Sequence, residues 1–186
     1  MSPPRLADVL GTADVIHERA VLEAAIEGMA DAIRGDYADD ARPPLFVTIM
    51  HGGMPFAAQL AFALGKRGLD VEFDYLHATR YRGNTSGSGL AWLHRPATPM
   101  EGRRVLLVDD ILDEGHTLKA VTRWCKDQDA ADVRVAVLAV KVHDRCVDGV
   151  CADYVGVEVP DRYVFGYGMD FHEQGRNLPA IYALAE

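Results

Sequence analysis

The chain has 186 residues, 49% hydrophobic and 25% charged, which is enough to bury one sizeable core and ordinary for a soluble globular protein. A net charge of −9 argues against a broad nucleic-acid face, which needs clustered Lys and Arg, but leaves room for a small anion held by local N–H groups and a metal ion. No apolar stretch approaches the roughly 20 residues of a membrane span. Met1–Leu10 carries two prolines and no apolar core of the kind a secretory leader needs, and Cys125, Cys146 and Cys151 lack CxxC spacing and read as reduced thiols, so the expected location is cytoplasmic.

Asp14–Arg34 places Val15, Ala20, Leu22, Ile26, Met29, Ala30 and Ile33 near helical spacing and predicts a first amphipathic helix. Gly35–Pro44 is a polar turn. Leu45–Met50 is short, apolar and partly β-branched, a buried strand. Gly52-Gly53 breaks it, and Pro55 suits the first turn of a helix that continues through Phe56–Lys66. Val71–Leu76 predicts a second strand. Thr79–Gly89, rich in Gly, Ser, Thr and Asn, predicts a mobile loop, followed by a short strand at Ala91–His94 and a connector at Pro96–Gly102. Val105–Val108 is the third strong strand and Thr117–Asp129 the helix after it. Val133–Val142 is a nearly all-apolar central strand, and Tyr154–Val159 and Tyr163–Gly166 are further short ones.

Strands alternating with helices predict an α/β fold with a central parallel sheet, helices on both faces, and one domain over 1–186. The C-terminal ends of such strands line one crevice. They bring to it His51-Gly52-Gly53, Arg80-Tyr81, Asp109-Asp110, Lys141 and Asp161-Arg162-Tyr163.

The run Arg104–Leu118 carries the most chemistry. Asp109 and Asp110 follow the apolar strand, and the N–H groups of Glu114–Thr117, at the start of the next helix, form a ready anion site. Carboxylates beside an anion site fit a sugar with free hydroxyls and a phosphate on one end. GxxxxGK[ST] is absent, so this is not a Walker A loop. The pattern of apolar strand, two acids, two small or apolar residues, an acid and a Gly/Thr loop resembles the phosphoribosyl-pyrophosphate (PRPP) motif of the type I phosphoribosyltransferases. Purine-salvage members often carry Glu where this chain has Asp109.

That resemblance implies the type I phosphoribosyltransferase fold, with a small hood from the N-terminal helix and C-terminal tail and a flexible lid loop. Asp109 and Asp110 would hold the ribose hydroxyls, directly or through Mg2+ and water. Asp113, Glu114, Gly115, His116 and Thr117 would cradle the 5′-phosphate, His116 through its N–H alone. His51 and Gly52 fall in the pyrophosphate loop, His51 standing where the family often has Lys, after a cis peptide. Tyr81 matches the aromatic of the family's Ser-Tyr lid pair; Arg80 departs from it and would add a pyrophosphate contact.

Val159–Asp170 (VPDRYVFGYGMD), followed by Arg176-Asn177-Leu178-Pro179, resembles the hypoxanthine-guanine phosphoribosyltransferases. By that resemblance Tyr163 stacks on the base, a contact worth on the order of 1–3 kcal/mol. Backbone groups of Val164 read the base edge, Asp170 ligates magnesium, as Asp109 does at the ribose, and Arg176 binds pyrophosphate. Lys141 would meet the 6-oxo oxygen, which favours hypoxanthine or guanine over adenine. Asp113 is then placed to take the N7 proton as N9 attacks. The implied reaction joins a 6-oxopurine to PRPP in a homodimer or homotetramer that needs neither nucleic acid nor membrane. Two alternatives are a xanthine-guanine enzyme of the same fold and a non-catalytic PRPP-sensing regulator. The tail Pro160–Asp170 speaks against both, and the lack of a basic face speaks against the second. His17, His77, His94, His143 and His172 have no ligand-like spacing and read as surface or packing residues.

Overall fold

The computed structural model describes residues 5–80 and 90–185. A short helix α1 (Leu6–Leu10) leads into strand β1 (Asp14–His17) and helix α2 (Arg19–Tyr37). Then come β2 (Leu45–Met50), α3 (Met54–Lys66), β3 (Glu72–Arg80), β4 (Leu90–His94) and β5 (Arg104–Leu112). Helix α4 (His116–Asp127), β6 (Asp132–Lys141), β7 (Tyr154–Val159), β8 (Val164–Phe165) and β9 (Ile181–Ala183) complete the order.

Six strands form the main sheet in the order β4-β3-β2-β5-β6-β7. All neighbours are parallel except the edge pair β3–β4. The alternation of strand and helix forces crossovers, and crossovers put helices on the faces. One face packs Leu106, Val108, Ala136 and Leu138 beneath α2 and α3. The other packs Val105, Leu107, Val135 and Val137 against Leu118, Val121 and Cys125 of α4. Both faces of β5 and β6 are therefore covered, which is why those strands read as unbroken apolar runs.

The helix expected over Asp14–Arg34 begins only at Arg19, because Asp14–His17 pairs antiparallel with β9. Long-range pairing overrides the local helical spacing there. The same helix runs through Gly35 to Tyr37, whose buried ring lies under the Arg104 guanidinium, 4.0 Å from its carbon. Thr79 and Arg80 belong to β3 rather than to a loop; residues 81–89 lie outside the described residues.

A second, antiparallel sheet has the order β1-β9-β8. Two N-terminal elements join the C-terminal tail: strand β1, and the short helix α1, whose Leu6 N–H donates to Gln174 Oε1 at 3.1 Å. Helix α2 packs instead on α3 and β7 of the main body.

Candidate active site

Strand β2 pairs with β5 only as far as Thr48 opposite Val108. Strand β5 was expected to end there. It continues beside β6 to Ile111 opposite Ala139 and Leu112 opposite Val140. Past Val108, β5 keeps one neighbour and loses the other, and a crevice opens where Asp109 and Asp110 stand. The chain leaves β2 through a cis Met50–His51 peptide into the Gly52-Gly53 turn. A Cβ on Gly52 would lie 2.0 Å from Asp110 Oδ2. A Cβ on Gly168, itself at φ +110°, would lie 2.0 Å from the Gly52 carbonyl oxygen. Three distant segments thus touch through positions that tolerate no side chain.

The Asp110 N–H donates to Asp109 Oδ1 at 2.9 Å. Burial pushes both carboxyls above the ordinary range, and the neighbouring Asp110 charge pushes Asp109 further. Beyond them Gly115 takes a left-handed φ of +79° and caps α4, whose first turn holds no acid. The positive end of α4 and the N–H groups of the loop therefore face the crevice without a competing carboxylate in that turn.

A cavity of about 550 Å³ brings together His51, Gly52, Asp109, Asp110, the whole run Asp113–Thr117, and Arg176. His77 also lines it, its ring centroid 4.3 Å from that of His51. Burial lowers the His77 pKa, and the facing His51 and Arg176 lower it further.

A second cavity, about 360 Å³, is lined by Lys141, Tyr163, Val164 and Asp170. It shares Asp110, Ile111 and Asp113 with the first. The two sets of residues therefore form two compartments with one common wall. Lys141 Nζ donates to Asp113 Oδ2 at 2.7 Å, and His143 Nε2 lies 2.7 Å from Asp113 Oδ1. Burial alone would raise the Asp113 pKa; these two donors outweigh it and hold the carboxyl below its usual value. Tyr163 is 47% exposed, stands edge-on to Phe171, and donates its hydroxyl to the Asp170 carbonyl at 3.1 Å. Its ring is thus fixed in direction yet open to a flat ligand.

Arg176 does not reach the crevice as a free cation. Its Nη2 sits 2.8 Å from Asp170 Oδ1, and its Nη1 donates to the Gly168 carbonyl at 2.8 Å. The side chain of Arg80, and Tyr81 entirely, lie outside the described residues. Sequence reasoning missed His77 and His143. His143 had one available signal: it stands two residues beyond Lys141, where the chain leaves the crevice end of β6. Among the described residues no group of three or more His, Cys, Asp or Glu could hold a metal ion by itself.

The model of the phosphoribosyl transferase domain matches residues 12–172. The hypoxanthine-guanine phosphoribosyltransferase of Streptococcus pneumoniae is 38% identical over 152 residues, 81% of each chain. That of Streptococcus agalactiae is 37% identical over 155 residues, 83% of each. Among solved structures, the hypoxanthine phosphoribosyltransferase of Trypanosoma cruzi in complex with the product IMP superposes with a TM-score of 0.87 at 27% identity, covering 98% of both chains. The Staphylococcus aureus enzyme gives 0.85 at 26%, covering 97% of both.

Proposed function

This chain belongs to the phosphoribosyltransferase family, and from that premise we propose that it is a purine-salvage enzyme. It joins hypoxanthine or guanine to the ribose of PRPP and releases pyrophosphate with IMP or GMP. One observation carries the reading: the two cavities meet at Asp110, Ile111 and Asp113. The larger has the acid pair and anion loop that a sugar phosphate needs. The smaller has an aromatic face and a cation. The new bond between base and sugar would form across their common wall.

The 5′-phosphate occupies the Gly115–Thr117 turn, where N–H groups and the α4 dipole stabilise negative charge without a lysine. The purine lies on Tyr163 with its edge toward Val164. Lys141 has three donors and spends one on Asp113, so another can serve the 6-oxo oxygen. A 6-amino group there would face a cation with its own N–H, a mismatch that disfavours adenine. Asp113 accepts the N7 proton as N9 attacks C1 of the ribose. His51, Gly52 and Arg176 lie beside the departing pyrophosphate, where excluding water protects the reacting carbon.

The donor set fits Mg2+. Asp109 and Asp110 are hard oxygen ligands that resist ionising side by side without a cation. A site with few protein ligands suits an ion that keeps its waters and shares substrate phosphates. Asp109 would hold such an ion at the sugar-phosphate cavity and Asp170 one at the purine cavity, where its charge would stabilise the leaving group. The enzyme is proposed to work in the cytoplasm as a homodimer or homotetramer. Support for self-association is an apolar groove of about 760 Å³ between α3 and β3, rimmed by exposed Met54, Phe62 and Phe73.

The test is a spectrophotometric assay with PRPP, Mg2+ and each of hypoxanthine, guanine, xanthine and adenine. Turnover of the first two is expected. Turnover of xanthine and guanine alone would move the protein to the xanthine-guanine enzymes, and no turnover at all would overturn the enzyme reading.

A further inference from the structure

We infer that His143 is a positioning residue: a neutral imidazole that fixes one oxygen of Asp113 so that the other is presented at the common wall of the two cavities. The inference rests on the proposed role of Asp113 as acceptor of the N7 proton.

The argument starts from the ring itself. The side chain of His143 is only 2% exposed. Its Nδ1 lies 3.0 Å from the backbone nitrogen of Arg145, a group that can only donate. Nδ1 is therefore the acceptor, and the single ring proton sits on Nε2. Nε2–H then donates to Asp113 Oδ1 at 2.7 Å. Both ring nitrogens are used, and the ring has one hydrogen-bonded orientation.

The Arg145 N–H that sets this tautomer is itself anchored. The Arg145 guanidinium makes two bonds to Asp161, at 2.7 and 2.6 Å, in the turn just before Tyr163. A chain of contacts thus runs Asp161–Arg145–His143–Asp113–Lys141, from the β7–β8 turn through the loop after β5 to the end of β6. The charged groups around the imidazole are Asp113 from the β5–α4 loop, Lys141, Asp144 and Arg145 from the end of β6, and Asp161 from the β7–β8 turn.

The neutral donor matters because Lys141 has two claimants. In this structure Lys141 occupies Asp113 Oδ2. A purine that draws the ammonium toward its 6-oxo oxygen loosens that contact. Oδ2 then becomes free to receive a proton while Oδ1 stays on His143. Without His143 the carboxylate can rotate about χ2 and follow the lysine, and small misplacements of a reacting group are costly. A second full cation in place of the imidazole would hold the carboxylate as firmly but weaken it further as a base.

Three proteins decide the matter: wild type, His143→Ala and His143→Gln, whose amide N–H can reach the same oxygen. Each is checked for folding by its thermal transition. His143→Ala is expected to lower kcat about 10- to 100-fold with the KM for PRPP within about twofold of wild type. The acid limb of its kcat–pH profile moves to higher pH, and His143→Gln recovers most of the loss. In the ligand-free proteins, 13C NMR titration should find the Asp113 carboxyl protonating at higher pH in His143→Ala than in wild type. Wild-type kcat and an unmoved Asp113 titration in His143→Ala would overturn the inference. So would Gln and Ala variants that behave alike. Absence of turnover in the wild type sinks the proposed reaction instead, while the NMR titration still accepts or rejects the His143–Asp113 coupling.

Discussion

Single side chains in this site are defined by what they hold. Asp113→Asn keeps the shape and removes the proposed proton acceptor; kcat should fall by about 10²–10⁴, and a fall of less than about tenfold in steady-state kinetics would sink the general-base role. Lys141→Ala should raise the KM for hypoxanthine more than that for PRPP, because Lys141 lines the smaller cavity and not the larger; equal changes in both constants would contradict the assignment. Gly52→Ala would drive a methyl into the Asp110 carboxylate and should abolish PRPP binding, read by calorimetry on a protein that still folds. The sequence displayed the identities of these residues well, since Asp109, Asp110 and Asp113–Thr117 are contiguous in the chain. It could not display pairings. Lys141 and His143 lie 28 and 30 residues from Asp113, and a buried histidine looks the same in sequence whether it fills space or orients a carboxylate.

Among the elements, the strands of the main sheet were legible because burial on both faces leaves long apolar runs, as in Val105–Val108 and Val133–Val140. In the small sheet only β8 was, inside the strand predicted over Tyr163–Gly166. β1 and β9 have four and three residues, too few for a period, and their pairing joins residue 14 to residue 183. Asp14–His17 even continued the helical spacing of α2, so local pattern pointed the wrong way. The small sheet nonetheless carries Val164 of the smaller cavity, the proposed purine compartment. Ile181, fully buried in β9, ties this sheet to the core beneath α2 together with Val164 and Ala183. Ile181→Ala should cost about 2–5 kcal/mol in denaturant unfolding. It should also weaken purine binding more than PRPP binding; uniform loss of both would argue that β9 supports the fold without shaping the base site.

For the molecule as a whole, the carboxylates act on stability with opposite signs. Asp113, Asp161, Glu27 and Asp31 have lowered pKa values. Their contribution is present above the ordinary carboxylate pKa and is lost as pH falls through their folded values. Asp109 and Asp110 are raised, so the folded state holds protons that the unfolded chain has released, and stability falls as pH climbs through that upper window. Ligand-free Tm should therefore rise with pH in the most acid range and then decline. Asp109→Asn should flatten the decline, and a decline unchanged in that variant would assign it to other groups. The order of the chain adds a consequence in time. All strands that frame the sugar-phosphate compartment precede residue 142, whereas the β1-β9-β8 sheet cannot close until residue 183 has left the ribosome. A nascent chain paused between those points would carry a half-site: the acid pair and anion loop in place, Arg176 and the base-facing aromatic still to come.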